Sequence, residues 1–163
     1  MSLNASTELV TSVIPGHGND YDGHKLKKLV EKDLSKGIKV GTVAGDKAYD
    51  DGDSHYYLEN KGINSALRLN SYRTKKKDSN KEGWLKLTES QEYTNGLKER
   101  YKVERKFGEA RKWHGFTRCR YTGFIRHAIQ SYLTFMALNL KRLVKLLTGV
   151  SFRGETRAHV VSG

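Results

Sequence analysis

The run Gly96–Trp113, GLKERYKVERKFGEARKW, decides how the rest of the chain is read. At about 100° per residue, Val103, Phe107 and Ala110 line up as a narrow apolar stripe. The run therefore predicts a helix with that stripe toward a core. Lys98, Lys102, Arg105, Glu109 and Lys112 fall on the far side, where water is expected. Arg100, Glu104 and Arg111 lie along the border of the apolar stripe. Glu104 is thus a carboxylate at the edge of a buried face, with one arginine a turn before it and another two turns after. Taken alone, this is an ordinary surface ion pair worth roughly 0.2–0.5 kcal/mol.

The segments before it give that glutamate a context. Glu8–Pro15, ELVTSVIP, is β-branched and partly alternating and predicts a strand. The loop GHGNDYDGH follows, with His17, Asp20, Asp22 and His24, residue types that bind metals but also form turns. Asp22 is placed to cap a helix through HKLKKLVEKDL that ends at Gly37, and capping is the favoured reading. Ile38–Gly45 is a short strand with Asp46 at its exit, on the same face as Val40 and Ala44. Asp50, Asp51 or Asp53 then caps a helix closed by Gly62, and Ile63–Leu69 is the next strand. Strand, helix and strand in thirty-odd residues form a βαβ unit with a parallel pair and a right-handed crossover. Ligands in such sheets bind beyond the carboxyl ends of the strands, where Asp46 lies.

Downstream, Ser71–Lys81, SYRTKKKDSNK, has no periodicity and reads either as a solvated loop or as a DNA-contacting one. Trp84–Thr94 is ambiguous between helix and loop. HGFTRCRYTG is a turn-rich connector carrying Arg118 and Arg120. Phe124–Leu147 is a long amphipathic helix whose stripe Ile125, Ile129, Tyr132, Met136, Leu140, Leu143 and Leu147 is expected to pack in the core. Residues 148–163 are expected to form a flexible tail.

Composition narrows the partner. The 163 residues carry 30 Lys and Arg against 18 Asp and Glu, a net charge of +12, and only 36% are hydrophobic. That excess points to a polyanion, nucleic acid first and an anionic membrane second, met by a broad phosphate-tracking surface. The length suits one domain with a core. The single cysteine, Cys119, excludes an intramolecular disulfide and fits a reducing compartment. MSLNASTELV has no signal-sequence pattern, and His127–Leu140, the longest stretch of the C-terminal helix without charge, is too short for a bilayer. The expectation is a soluble, cytoplasmic protein with no membrane partner.

Asp46 and Glu104, 58 positions apart, supply hard oxygen ligands from two separate elements. Carboxylates gathered in this way can hold two divalent cations, Mg²⁺ or Mn²⁺, around a phosphodiester. The segments SVIPGHGNDYDG, VAGDKAYDD, INSALRLN, RYKVERKFGEARKWHGFTRCRY and ALNLKRL run in order over most of residues 8–147. Together they resemble the DDE transposases of bacterial insertion sequences.

The resemblance implies an α/β, partial RNase H-like domain over residues 1–147, with a short mixed sheet, a βαβ unit and long α-helices after it. Asp46 would be the second catalytic acid and Glu104 the third, both metal ligands. Some members carry a Tyr, Arg, Glu, Lys signature; the corresponding positions here are Leu97, Arg100, Glu104 and Arg111. The tyrosine is absent, and arginine in place of lysine can still hold a phosphate. The family's first acid lies on a strand two before the one at residues 8–15, so the chain resembles a C-terminal part lacking the first two strands and that acid. Asp20 and Asp22 match the turn after the third strand, and the resemblance does not carry that acid's role onto either.

The expected partner is DNA, at transposon ends and target. Phosphates would be met by Arg100, Arg111, Lys112, Arg118 and Arg120, with Lys75, Lys76 and Lys77 as a loop contact. A strand at residues 8–15 without its neighbour would expose an edge through which a homodimer can form. Two further readings stand beside a catalytic segment: a non-catalytic DNA-binding remnant or partner, and, more weakly, a basic RNA-binding protein that leaves both acids without a role.

Overall fold

The computed structural model describes residues 1–16, 22–73, 75, 80–119 and 122–149. Four short strands, β1 (Ser2–Leu3), β2 (Val10–Ser12), β3 (Thr42–Gly45) and β4 (Asn64–Leu67), alternate with and precede six helices. These are α1 (Lys25–Leu34), α2 (Gly52–Asn60), α3 (Lys81–Glu89), α4 (Gln91–Glu99), α5 (Tyr101–His114) and α6 (Phe124–Thr148). The βαβ unit is present: β3 and β4 pair in parallel, Thr42 opposite Asn64 and Gly45 opposite Leu67, with α2 between them. Of the three candidate caps, Asp51 starts α2, its Oδ1 accepting from the Ser54 N–H at 2.6 Å. The region Trp84–Thr94 is helical, broken at Ser90, whose hydroxyl accepts from the Tyr93 N–H and opens α4.

The expected mixed sheet is instead two two-stranded sheets among the described residues: β1–β2, antiparallel, and β3–β4. A cleft of about 1440 Å³ separates them, with Leu3 and Thr11 on one wall and Thr42 and Ala44 on the other. The carbonyls of Gly41 and Gly45 accept from Asn64 and Arg68 N–H. By strand alternation, the backbone groups of Thr42 and Ala44 point the other way, to the cleft side. The strand expected at residues 8–15 also has a neighbour, β1, too short to be legible in the sequence. The Asn139 side chain meets both backbone groups of Val10, Oδ1 accepting its N–H and Nδ2 donating to its carbonyl, each at 2.8 Å. Lys36 and Lys32 donate to the Thr11 and Val13 carbonyls. An exposed, unanswered edge is therefore not found at this strand.

Two apolar clusters hold the molecule. Leu26 and Val30 of α1 meet Leu58, Ile63 and Leu67 around the βαβ unit. Val10, Ala110, Phe135 and Leu138 form the other, with Phe107 and Phe116 against Phe135 edge to face. Glu8, in the β1–β2 turn, joins this hairpin to both long helices through Arg105 and Arg142. Burial alone would raise its pKa, but the hydrogen bond from Arg105 and the charges of Arg105, Arg142 and Lys106 outweigh that and hold it below the usual carboxylate value.

The run Gly96–Trp113 is two helices, not one. Arg100 N–H donates to Leu97 O and Val103 N–H to Arg100 O, a tight turn that ends α4 and starts α5. Each part serves a different core. Gly96 lies flat on the parallel sheet, where a Cβ would come within 2.4 Å of the Ala66 Cβ. Phe107 and Ala110, as expected, face the Val10–Phe135 cluster. Gly96→Ala is expected to force α4 off the sheet and cost about 1–3 kcal/mol, read by urea denaturation. An unchanged midpoint would mean that this contact yields freely.

The long C-terminal helix turns the other way from expectation. It buries Ser131, Thr134, Phe135 and Leu138, and the stripe from Ile125 to Leu147 is exposed. Phe135 and Leu138 pack with Val10 of the hairpin, Asn139 reaches the Val10 backbone and Arg142 reaches Thr7 O. That approach selects the face.

Candidate active site

Asp46 leaves β3 at the carboxyl end of the parallel pair and caps the following turn, Lys47–Tyr49; its Oδ1 accepts from the Lys47 N–H at 2.8 Å. Gly45 before it has no room for a side chain, since a Cβ would meet Leu67 Cδ2 at 2.7 Å. Glu104 stands in the first turn of α5, where the helix dipole favours a negative charge. Arg100, at the break between α4 and α5, connects them. Its Nη1 lies 2.9 Å from Glu104 Oε1 and 3.5 Å from Asp46 Oδ1. Because one nitrogen makes both contacts, the two oxygens are no farther apart than those contacts laid end to end. That is well inside the roughly 10 Å that carboxylates around a two-metal centre about 3.5–4 Å across can span.

The pair sits at the rim of the cleft between the two sheets, with Arg111 on the same wall. Both carboxylates are open to solvent, 57% and 63% exposed, while the arginine is 25% exposed. Lys112 and Arg118 are also exposed, and the Lys112 ammonium lies over the Trp113 ring at 4.8 Å. Lys75 is exposed on the far side of β4 in sequence. Lys76, Lys77 and Arg120 lie outside the described residues, as do His17, Asp20 and the 150–163 segment. The side chain of Asp22 is likewise not described, and the residue before α1 is His24, with no side-chain capping bond.

One constellation escaped sequence reasoning. Asp50, a cap candidate in the sequence, has a side chain with no exposed surface and organises the ground beneath Asp46. Its Oδ1 takes His55 Nε2 at 3.0 Å and its Oδ2 the Asn70 N–H at 2.7 Å. Arg73 Nε stands 3.4 Å away as an ion pair. Ser65 Oγ meets the other ring nitrogen of His55 at 3.0 Å, and Asn70 Nδ2 donates to Lys47 O. Arg73 also lies over the rings of Trp84 and Tyr72. The loop after β4, the turn after Asp46 and α2 are thereby tied to a single carboxylate. Three aspartates in four positions conceal which one is buried, so no local signal separates Asp50 from Asp51 or Asp53.

A family model for the transposase DDE domain matches residues 2–140. The chain belongs to the DDE transposases. No curated protein and no solved structure matched it. Members of this family use a divalent metal; at the cleft rim of this transposase chain the two carboxylates are hard oxygen donors of the kind such an ion takes, and the Arg100 guanidinium lies between them. The fit is partial, because no group of three His, Cys, Asp or Glu able to hold an ion occurs among the described residues of the transposase. None of its described helices is long and apolar enough to cross a membrane.

Proposed function

We propose that this chain is the catalytic segment of an insertion-sequence transposase, cutting and joining DNA strands once a third carboxylate completes the rim. The observation that carries the reading is the shared arginine. Exposed pairs of this kind contribute about 0–1 kcal/mol, and Arg before Glu is the weaker order on a helix. Stability therefore does not account for two carboxylates drawn to one cation at the mouth of a cleft.

Asp46 and Glu104 would hold Mg²⁺ or Mn²⁺, which when bound polarises the phosphodiester and makes a water or 3′-hydroxyl nucleophilic. The chain's own residues do the rest. The Lys47 N–H fixes the Asp46 carboxylate, and the start of α5 orients Glu104. Arg100 keeps the pair compensated in its free state and is placed to turn onto a DNA phosphate. Arg111, Lys112, Arg118 and Arg120 would continue the phosphate track, with Lys75, Lys76 and Lys77 as the loop contact. The cleft offers a place for a third acid: an extended segment laid along Thr42–Gly45 would end beside Asp46. β1 then counts as one of the two strands expected to be lacking.

The presence of only two acids at the described rim favours one alternative, a non-catalytic DNA-binding remnant or partner. Both readings require phosphate contacts. Arg100→Ala with Arg111→Ala is expected to weaken binding to a DNA duplex and lower the salt slope by about two, one unit for each lost phosphate contact. Unchanged affinity and slope in a salt titration would exclude both.

A further inference from the structure

The exposed side of α6 has an order of its own. At about 100° per residue, Ile125, Ile129, Tyr132, Met136, Leu140, Leu143 and Leu147 fall in a sector roughly 80° wide, nearly opposite the buried Ser131, Thr134, Phe135 and Leu138. All seven are exposed, from Leu143 at 39% to Leu147 at 84%. Their spacings are four, three, four, four, three and four, the same read in either direction, with Met136 at the centre. Ile125, Met136 and Leu147 also define an 11-residue repeat, so the stripe runs almost straight along the helix.

We infer that this stripe is an interface between two copies of the chain, with α6 packed antiparallel against α6 about a two-fold axis at Met136. An isologous contact must map onto itself, and a palindromic stripe does so. Met136 meets the partner's Met136, Ile129 the partner's Leu143, and Ile125 the partner's Leu147. Charge selects the same arrangement. α6 has no Asp or Glu, and its Lys and Arg are Arg126, Lys141, Arg142 and Lys145. Lys141 is held by His114 Nε2 at 3.2 Å, and Arg142 donates to Thr7 O at 2.7 Å, so both turn to the body of the molecule. Parallel pairing would set the two basic C-terminal turns side by side. Antiparallel pairing separates them by the helix length and opposes the two dipoles.

The area is sufficient. With Leu133 beside it, and taking about 200 Å² for each large side chain, the stripe offers on the order of 800 Å² per copy, the size of a standard stable interface. The groove of about 370 Å³ between α6 and β2, walled by Tyr132, Met136, Leu140 and Leu143, continues it.

Cysteine cross-linking tests the geometry in the full chain, with the exposed Cys119 first replaced by serine. Met136→Cys sits on the axis and is expected to oxidise to a covalent dimer. Ile125→Cys alone is expected to remain monomeric on a denaturing gel, yet to link to Leu147→Cys when the two variants are mixed. Met136→Glu, at a solvent-facing position that leaves the fold unchanged by circular dichroism, is expected to weaken the dimer roughly 30-fold in sedimentation. A chain that sediments as a monomer at every concentration overturns the inference. So does an Ile125→Cys variant that cross-links to itself as readily as Met136→Cys, because that pattern belongs to parallel or random contact.

Discussion

Glu104→Gln and Asp46→Asn are each expected to abolish metal-dependent strand cleavage in an N-terminally extended chain while leaving DNA binding in place. Each substitution removes a charged oxygen ligand without changing size. If the two acids act together on one phosphodiester, loss of either costs several kcal/mol of transition-state stabilisation, a rate lower by on the order of 10³-fold or more. DNA affinity should hold or rise slightly, because a negative charge leaves the cleft rim and Arg100 is freed from one partner. The assay is cleavage of a labelled DNA end in Mn²⁺, run beside a binding titration. The 163-residue chain is expected to bind the same DNA without cutting it. Cutting by the short chain that disappears in Glu104→Gln would place the third carboxylate within these residues. Asp20, outside the described segments, would then be the first to examine.

Asp50→Ala is expected to be the most destabilising single change near the site. The side chain has no exposed surface and answers His55, Asn70 and Arg73 at once. Removing it leaves the part-buried Asn70 N–H and the His55 ring without their acceptor and the largely buried Arg73 guanidinium without its counter-charge, a loss of about 3–5 kcal/mol by analogy with broken buried pairs. In a chain of this length that corresponds to a fall in Tm of roughly 10 °C. Asp50→Asn should fall between, since an amide oxygen can still accept from the Asn70 N–H but offers Arg73 no charge. Urea and thermal denaturation of both variants decide the matter. An Asp50→Ala protein within about 0.5 kcal/mol of the parent would mean that the network contributes nothing net and only fixes the local geometry.

The two sites differ in how visible they are along the chain. Asp46 and Glu104 can be found because each is marked by its own neighbours: a strand exit after β-branched residues, and the border of a helical stripe. Asp50 cannot, because its partners come from positions 5 to 23 residues further along and carry no spacing that links them to it. The α6 stripe shows a third case. Its period was legible and its amphipathicity correct, yet that stripe faces out, because the opposite side puts Phe135 and Leu138 into the Val10 cluster while Asn139 and Arg142 reach the hairpin.

Sequence alone therefore determined the βαβ unit, the parallel pair, the strand-end position of Asp46 and the border position of Glu104. All of these follow from periods of about 2 and 3.6 residues and from caps, which act over one or two turns of chain. Tertiary structure decided the rest. It broke the central helix at Arg100 so that Gly96 and Phe107 could each meet a different core, and that break aimed one guanidinium at both acids. It split the strands into two sheets with a cleft between them, and it chose which face of α6 is buried. These are contacts between residues far apart in the chain, settled by packing volume and by the need to pair buried polar groups, and no local pattern encodes either.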